Sequence, residues 1–222
     1  MDIKKILSAC DHTLLSQDAT EKDILALCDD AIKYQTASVC IPPCYVRAAK
    51  EYCSGKMKIC TVIGFPLGYQ AEEVKAFEAK SAVDSGADEI DMVINVGFLR
   101  SGKTDSILSE IKAVRKATEG KILKVIIETC LLTNEEKKTM CKIGAEAGAD
   151  FIKTSTGFSH GGATAEDIKL FAENCPAGLK IKAAGGIKTL DDAELFLNLG
   201  AERLGTSRIV KIVKSEENIQ GY

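Results

Sequence analysis

Two lysines stand at the ends of strand-like segments, each close to a glycine-containing turn. Lys153 ends the run FIK four residues before Gly157, and Lys182 lies three residues before Gly185. Transferring an ammonium group into a protein interior is costly unless another group compensates for its charge. Lysines at two such positions therefore indicate that one amine is kept for its chemistry. For a lysine amine that chemistry is typically imine formation with a carbonyl substrate.

The composition limits which other groups could take part in the reaction. The chain of 222 residues contains two histidines, His12 and His160, and nine scattered cysteines without a Cys-x-x-Cys pair. So few histidines disfavour both a zinc site and a Ser-His-Asp triad, and we expect neither a metal nor another cofactor. An odd number of scattered thiols is typical of a cytoplasmic protein. Lysines and carboxylates are left to carry the chemistry.

The charge and hydropathy of the chain limit its partners. Charged residues make up 27% and hydrophobic residues 45%, and the net charge is −3. This balance argues against nucleic acid or an acidic membrane as the main partner, although a local group of cations could still bind a small anion. No apolar stretch approaches the ~18 residues of a membrane span, and the first ten residues do not resemble a signal peptide.

Short β-rich segments alternate with amphipathic helical segments along the chain. Four helix starts carry a Thr-x-x-acid pattern, in which the hydroxyl caps the helix and the acid bonds back to the cap. The pairs are Thr20/Asp23, Thr133/Glu136, Thr164/Asp167 and Thr189/Asp192. About eight strand–helix units of roughly 28 residues predict an α/β protein with a single (β/α)8 TIM-barrel domain over residues 1–222. We expect a polar C-terminal tail at about 215–222, and an open doubly wound sheet is the competing fold.

A repeated Gly-Ala-acid pattern and the alternation of strand side chains predict which residues face the barrel interior. Three helices end in Gly-Ala-acid, and five residues after each glycine the chain reaches Asp91, Lys153 and Gly205. Equal offsets place these three near the carboxyl ends of their strands. Side chains alternate between the faces of a strand. The charged residues expected inside are Glu89, Asp91, Lys124, Glu128, Lys153, Lys180 and Lys182.

Seven interior charges are difficult to explain as structure alone, because buried ion pairs stabilise a fold weakly at best. A single strand-end lysine is nevertheless more often a solvated charge or half of a salt bridge. Lys124 and Lys180 could therefore be simple counter-ions for Glu89 and Glu128.

Loops with glycine and hydroxyl residues follow the last three predicted strands. The residues concerned are Thr156, Gly157, Gly185, Gly186, Gly205 and Ser207. In a TIM barrel the loops after strands seven and eight commonly bind phosphate, with backbone N–H groups and a helix N-terminus facing the anion. Tight turns without a ligand are the alternative interpretation.

Seven collinear motifs resemble the deoxyribose-phosphate aldolase family. They are DHTLL (11–15), ASVC (37–40), TVIGFPLG (61–68), EIDMVIN (89–95), KVIIET (124–129), FIKTSTGF (151–158) and KAAGGI (182–187). The resemblance covers nearly the whole chain. It implies a class I aldolase that reversibly cleaves 2-deoxy-D-ribose 5-phosphate to acetaldehyde and D-glyceraldehyde 3-phosphate, in deoxyribose catabolism. In the family pattern Lys153 matches the Schiff-base lysine, Lys182 its neighbour and Asp91 the proton relay, while Asp11 matches another catalytic position.

The resemblance also implies a set of substrate-binding residues. These are Thr13, Cys40, Thr156, Gly157, Gly185, Gly186, Gly205 and Ser207. Two positions depart from the pattern, since Arg208 stands where the family usually has a small residue and Ala184 where it often has serine. Tyr222 could act as a proton shuttle, although a frayed end is the simpler interpretation. We expect a homo-oligomer, a dimer.

Two other functions stay open. A phosphosugar isomerase or epimerase on the same barrel would use Asp91 as its base and Lys153 only as an electrostatic group. A non-enzymatic phosphosugar-binding module would bind ligand without turnover. Reductive trapping separates these alternatives from an aldolase, because neither of them forms an imine.

Overall fold

The computed structural model describes residues 1–220, and the side chains of residues 1–217. Eight parallel strands form a closed barrel in which each strand pairs with its neighbours in sequence and β8 pairs with β1. The strands are β1 (Cys10–Thr13), β2 (Ser38–Ile41), β3 (Ile59–Ile63), β4 (Glu89–Val93), β5 (Ile122–Ile126), β6 (Phe151–Lys153), β7 (Lys180–Ala184) and β8 (Arg203–Thr206). The prediction of a (β/α)8 barrel is confirmed, and closure excludes the open doubly wound sheet.

Helices follow the strands and surround the barrel, and one short helix precedes β1. They are α1 (Ile3–Ser8), α2 (Glu21–Tyr34), α3 (Val46–Cys53), α4 (Glu72–Asp84), α5 (Val96–Arg100), α6 (Thr104–Ala117), α7 (Asn134–Glu146), α8 (Ala165–Asn174), α9 (Leu190–Asn198) and α10 (Ile209–Gln220). Within residues 1–220, no helix is long and apolar enough to cross a membrane.

The last helix includes much of the segment expected to be a polar tail. Helix α10 continues to Gln220. Glu217 accepts hydrogen bonds from Lys33 Nζ at 2.9 Å and from Tyr34 Oη at 2.8 Å, which ties α10 to α2. Tyr222, the suggested proton shuttle, lies outside the described residues.

The predicted Thr-x-x-acid caps form in the structure, with one difference. Complete capping boxes begin the helices α2, α7 and α9. At α8 the Thr164 hydroxyl accepts from Asp167 N at 3.1 Å, but the Asp167 carboxylate binds Lys137 Nζ at 2.6 Å. The fourth acid is therefore used to join α8 to α7, because a nearby ammonium competes with the cap backbone.

The main apolar core lies between the barrel and its helices, where side chains on the outer face of each strand pack against helical residues. Ile90, Val125, Ile152 and Ile181 are all buried there, as the alternation predicts. Inside the barrel the filling is different. Cys40, Cys60 and Val62 form a small apolar cluster of their own. The remaining interior contains the charged residues described next.

Candidate active site

Two lysines and one aspartate from strands β4, β6 and β7 meet inside the barrel. Lys153 is the last residue of β6, and Asp91 and Lys182 are the middle residues of β4 and β7. Lys153 Nζ lies 2.8 Å from Asp91 Oδ2, and Lys182 Nζ lies 2.7 Å from the same oxygen. Lys153 is 3% exposed, whereas Asp91 and Lys182 are fully buried. The two ammonium groups predicted from the sequence are therefore neighbours, and one carboxylate oxygen joins them.

A second group of charges lies beneath this pair. Lys124 Nζ contacts Glu89 Oε2 at 2.6 Å and Asp91 Oδ1 at 2.8 Å. Arg203 Nη1 contacts Asp11 Oδ1 at 2.5 Å and Glu89 Oε2 at 3.0 Å. Asp11 also accepts a hydrogen bond from Lys182 Nζ. These contacts join Asp11, Glu89, Asp91, Lys124 and Arg203 into one network inside the barrel. We call these five residues, together with Lys153 and Lys182, the interior cluster.

The interior cluster contains four cations and three carboxylates. The cations are Lys124, Lys153, Lys182 and Arg203, and the carboxylates are Asp11, Glu89 and Asp91. With every group ionised, the cluster carries one positive charge more than it carries negative charges. A net charge in a buried site is unfavourable. Loss of one proton would leave the cluster with equal numbers of positive and negative charges.

The network shifts the titration of its members in opposite directions. Burial disfavours the ionised form of Asp91, but three neighbouring ammonium groups outweigh burial and hold the pKa of this carboxyl well below its usual range. The pKa of Asp11 is lowered for the same reason. Burial likewise disfavours the charge on Lys182, yet the carboxylates of Asp11 and Asp91 outweigh it and raise the pKa of this lysine. Lys182 is therefore a cation and Asp91 an anion near neutral pH.

Two cysteines lie beside this network. Cys40 on β2 pairs in register with Cys60 on β3, and both are fully buried. Cys60 Sγ lies 3.2 Å from Asp91 Oδ1. These three side chains place ligand atoms within 4.8 Å of one another, a spacing that could hold a metal ion. Ammonium groups already contact both Asp91 oxygens, however, so the carboxylate is engaged without a metal.

A cavity of about 500 Å³ opens above Lys153 at the carboxyl ends of the strands. Eight of the residues predicted from the sequence line it, namely Thr13, Lys153, Thr156, Gly157, Gly185, Gly186, Gly205 and Ser207. The other predicted site residues, Asp11, Cys40, Asp91 and Lys182, lie deeper and are fully buried. They do not line the cavity, so they can act on a ligand only through the residues that do. Of the three lysines in the interior cluster, Lys153 is the one that lines this cavity.

Backbone conformation and close approach explain the glycines of the cavity wall. Gly185 and Gly186 have φ values of 76° and 79°, a region that glycine adopts without strain. Gly205 has a different reason, because a Cβ there would lie 2.9 Å from Ala184 Cβ and 3.2 Å from Lys182 Cε. Any side chain at Gly205 would therefore displace Lys182.

Three exposed cations surround the outer part of the cavity. Lys188, Arg208 and Lys211 all line it. The structure gives none of the three a salt bridge within its described residues. Together with the backbone N–H groups of the Gly185–Gly186 turn, these cations make the outer cavity suited to an anionic group such as phosphate.

Two predicted interior charges lie elsewhere. Lys180 is exposed and pairs with Glu202 at 3.3 Å, so its expected inward position is wrong. It is the first residue of β7, where the barrel opens to solvent. Glu128 is buried as expected, but it accepts hydrogen bonds from the hydroxyl and the N–H of Thr156 and contacts no lysine among the described residues. Its role as partner for Lys124 or Lys180 is therefore wrong as well.

The sequence reasoning missed some members of the network. Arg203 was not singled out, although it precedes Gly205 by two residues and so shares its strand face. Ser38, two residues before Cys40, donates a hydrogen bond to Asp11 Oδ1 at 2.7 Å by the same logic. Lys211 had no such signal, because it reaches the cavity from helix α10.

Comparison with known proteins identifies the family. A family model described as DeoC/LacD family aldolase matches residues 5–208. A deoxyribose-phosphate aldolase from Clostridioides difficile (strain 630) is 56% identical over 97% of this chain and 98% of its own length. A deoxyribose-phosphate aldolase from Streptococcus pyogenes serotype M4 is 55% identical over 97% of both chains.

A solved structure supports the same conclusion. The deoxyribose phosphate aldolase from Aeropyrum pernix, described as having a unique tetrameric structure, superposes with a TM-score of 0.90. It is 33% identical in sequence, and the match covers 98% of this chain and 93% of that one. The chain therefore belongs to the DeoC/LacD family of aldolases, and it is a carbon–carbon lyase.

Proposed function

We propose that this enzyme reversibly cleaves 2-deoxy-D-ribose 5-phosphate to acetaldehyde and D-glyceraldehyde 3-phosphate through an imine on Lys153. One observation carries the proposal. Lys153 belongs to the interior cluster, where it contacts Asp91, and it also lines a cavity whose outer part is cationic. The names of the relatives support this substrate, since those from C. difficile and S. pyogenes are both deoxyribose-phosphate aldolases.

Imine formation requires a neutral amine, and the charge of the interior cluster favours one. The cluster has one surplus positive charge when every member is ionised. Lys182 and Arg203 are held as cations by the carboxylates around them. Lys153 contacts a single carboxylate, which it shares with Lys182, and it faces the cavity. It is therefore the cluster amine best placed to attack the carbonyl of an arriving substrate.

The reaction then follows from the carbon count of the products. The Lys153 amine adds to the C1 aldehyde of the open sugar, and loss of water leaves an iminium. Acetaldehyde takes C1 and C2, so the C2–C3 bond breaks as the C3 hydroxyl loses its proton. The electron pair moves into the nitrogen-bound two-carbon unit, which becomes an enamine, and glyceraldehyde 3-phosphate departs. Protonation of the enamine at C2 and addition of water release acetaldehyde and restore the amine.

Asp91 and Lys182 are proposed to move the protons. Asp91 lies within hydrogen-bond distance of both amines, so it can pass a proton between Lys153 and Lys182 without a large movement. Asp11 holds Lys182 from the other side and keeps it directed at Asp91. Cys40 contributes to the apolar side of this site, where it packs with Cys60 and Val62.

Phosphate binding is proposed to align the sugar. The Gly185–Gly186 turn, Ser207 and the exposed cations would hold the C5 phosphate at the outer end of the cavity. Lys153 lies at the inner end, so an anchored phosphate directs the C1 carbonyl toward the amine. Orientation of this kind contributes substantially to catalysis because it replaces a bimolecular encounter with a fixed geometry.

Reductive trapping tests the proposal. Incubation with acetaldehyde and borohydride should attach a saturated two-carbon unit to Lys153, which peptide mass spectrometry locates. The Lys182→Met variant is a useful comparison, since its Lys153 is still present. Modification of another lysine, or of none, would show that the reaction does not proceed through this imine.

We also propose that the protein is cytoplasmic and that it forms a homo-oligomer, a dimer. Support for assembly comes from a face beside α4, where Leu67, Tyr69, Val74 and Phe77 are 57%, 68%, 51% and 76% exposed. Several large exposed apolar side chains within one short stretch of the chain are consistent with an interface. Sedimentation equilibrium should show a Phe77→Asp variant as monomer, whereas Leu195→Asp on α9 should keep the mass of the unmodified protein. Equal masses for all three proteins would rule out this face.

A further inference from the structure

A second buried lysine site lies outside the barrel, between the strands and the helices α4 and α6. Lys75 on α4 is 0% exposed and Glu110 on α6 is 3% exposed. Lys75 Nζ lies 2.8 Å from Glu110 Oε2. The two residues are 35 positions apart in the chain, and the mechanism proposed above uses neither of them.

This pair contacts the backbone just beyond Asp91. Lys75 Nζ donates a hydrogen bond to Val93 O at 2.9 Å, and Glu110 Oε1 accepts one from Asn95 N at 2.8 Å. Val93 is the last residue of β4, and Asn95 caps helix α5 through a bond to Phe98 N. The ion pair therefore holds both sides of the point where the chain leaves the barrel, two to four residues after Asp91.

The same lysine also packs against the end of β3. A Cβ placed on Gly64 would lie 3.1 Å from Lys75 Cε, so the lysine stem occupies the space that glycine leaves open. Glu78, also on α4, accepts a hydrogen bond from Gly64 N at 2.7 Å. Helix α4 thus contacts the carboxyl ends of two neighbouring strands through charged side chains.

Stability alone does not explain why this site is polar. A buried ion pair can often be replaced by apolar residues of similar volume without loss of stability. What apolar residues cannot do is bond Val93 O and Asn95 N, backbone groups that have left the regular ladder of the barrel. Burial lowers the pKa of Lys75 and raises that of Glu110, although each partner opposes the shift of the other.

We infer that Lys75 and Glu110 are positioning residues that fix the end of β4 and thereby hold the Asp91 carboxylate between Lys153 and Lys182. The requirement is geometric. One Asp91 oxygen must stay within hydrogen-bond distance of two amines, now 2.8 Å and 2.7 Å away. A strand end that moved by about an ångström would lengthen at least one of these contacts and slow proton transfer. This inference rests on the proposed roles of Lys153 and Asp91.

The test replaces the pair by apolar residues. In the Lys75→Met/Glu110→Leu variant we expect kcat to fall about 10-fold, with KM for deoxyribose phosphate within about twofold of the original. The phosphate loops follow β7 and β8, whereas the polar contacts of this pair within the described residues lie at the end of β4, so KM should be unchanged. The pH profile of kcat should also change, because the Asp91 carboxylate would no longer lie within hydrogen-bond distance of both amines.

A matched control separates positioning from general loss of a buried ion pair. Lys137 and Asp167 pair at 2.6 Å between α7 and α8 and are 11% and 7% exposed, and among the described residues their hydrogen bonds do not reach a strand end. The Lys137→Met/Asp167→Leu variant should keep the original kcat and pH profile. Equal losses of kcat in the two paired variants would overturn the inference.

Two further measurements keep the result interpretable. Glu110→Asp retains the charge but is too short to reach Lys75 and Asn95 N together, so it should lower kcat several-fold even if the paired variant fails to fold. Exchange of the acetaldehyde methyl hydrogens in deuterated solvent reports enamine protonation directly. It should slow in parallel with kcat, while trapping at Lys153 remains complete.

The outcomes distinguish this inference from the proposed function. A folded Lys75→Met/Glu110→Leu enzyme with unchanged kcat, exchange rate and pH profile would show that the pair is only structural. Absence of trapping in the unmodified enzyme would instead refute the imine mechanism.

Discussion

Lys182 inside the barrel and Lys75 outside it are both completely buried, but their surroundings differ in charge. Lys75 faces one carboxylate and one backbone carbonyl, so its site is electrically balanced. Lys182 belongs to a cluster with one surplus positive charge that lies directly beneath a cavity. A balanced site holds a geometry, whereas a site with one surplus positive charge becomes neutral overall when one of its amines forms an uncharged product.

The two sites also differ in what their carboxylates contact. One oxygen of Glu110 contacts Lys75 Nζ, and the other accepts a hydrogen bond from Asn95 N. Asp91 contacts ammonium groups with both oxygens and is shared by three lysines. A carboxylate shared in this way can exchange hydrogen-bond partners with little rearrangement. Burial by itself is therefore a poor guide to catalysis, and the ratio of charges is a better one.

The largest expected effect comes from removing the amine at the surplus site. Lys153→Leu should lower kcat by at least about 10⁴-fold, because no other amine in the cluster reaches the cavity to form the imine. Steady-state turnover of deoxyribose phosphate measures the loss. Lys180→Leu is the matched control, since Lys180 begins the next strand but is exposed. Comparable losses of kcat in both variants would show that Lys153 is not the amine that forms the imine.

At the balanced site the expected effect is on stability. Glu110→Leu leaves the Lys75 ammonium buried without a carboxylate and should lower the free energy of unfolding by roughly 3–5 kcal/mol. In the paired Lys75→Met/Glu110→Leu variant the loss should be much smaller, because no charge remains buried. Urea denaturation of the three proteins gives both values. Similar losses in the single and paired variants would indicate that packing, rather than charge, dominates this site.

Alternation along the strands is enough to find most of the interior cluster. Asp91, Lys153 and Lys182 follow from the period of two, since their neighbours are apolar and must face the helices. The same rule failed for Lys180. Alternation predicts the face of a strand on which a side chain lies, but not how far along the barrel axis it lies. Lys180 is the first residue of β7, at the end of the barrel, and is exposed to solvent.

The balanced site could not have been predicted from local sequence. Lys75 lies on a helix whose acidic and basic residues suggest a solvated surface, and its partner is on another helix. Nothing within a few residues of Lys75 indicates that Val93 O and Asn95 N will be near. Contacts that depend on how two helices pack over a strand end require the whole fold, whereas the strand interior repeats a simple pattern.

His12 is a third kind of buried ionisable group, which belongs to neither of these two sites. It is 2% exposed, and its Nδ1 has no hydrogen-bond partner among the described residues. Burial lowers its pKa to about 4. An unfolded histidine has a pKa near ~6.5, so between these values the unfolded chain takes up a proton that the native protein does not. Acidification through this window should therefore destabilise the fold by up to roughly 3 kcal/mol.

A His12→Gln variant isolates this contribution. Its free energy of unfolding should fall less than that of the unmodified protein when the pH is lowered from 7 to about 4. Urea denaturation at several pH values within the window measures the difference, and values above pH 7 provide the reference. Parallel curves for the two proteins would show that His12 titrates alike in the native and unfolded states.

The smallest expected effect lies at the rim of the cavity, where exposed cations outside the interior cluster meet solvent. Arg208→Ala should raise KM for deoxyribose phosphate about 10-fold, equivalent to about 1.4 kcal/mol, with little change in kcat. Turnover of unphosphorylated 2-deoxyribose should be unaffected, because that substrate brings no anion to the rim. The effect should also shrink at high ionic strength, since exposed charges are screened. Arg100→Ala, on the exposed side of α5, serves as the control. An equal loss with both sugars would show that Arg208 supports the structure of the cavity and does not bind the phosphate group.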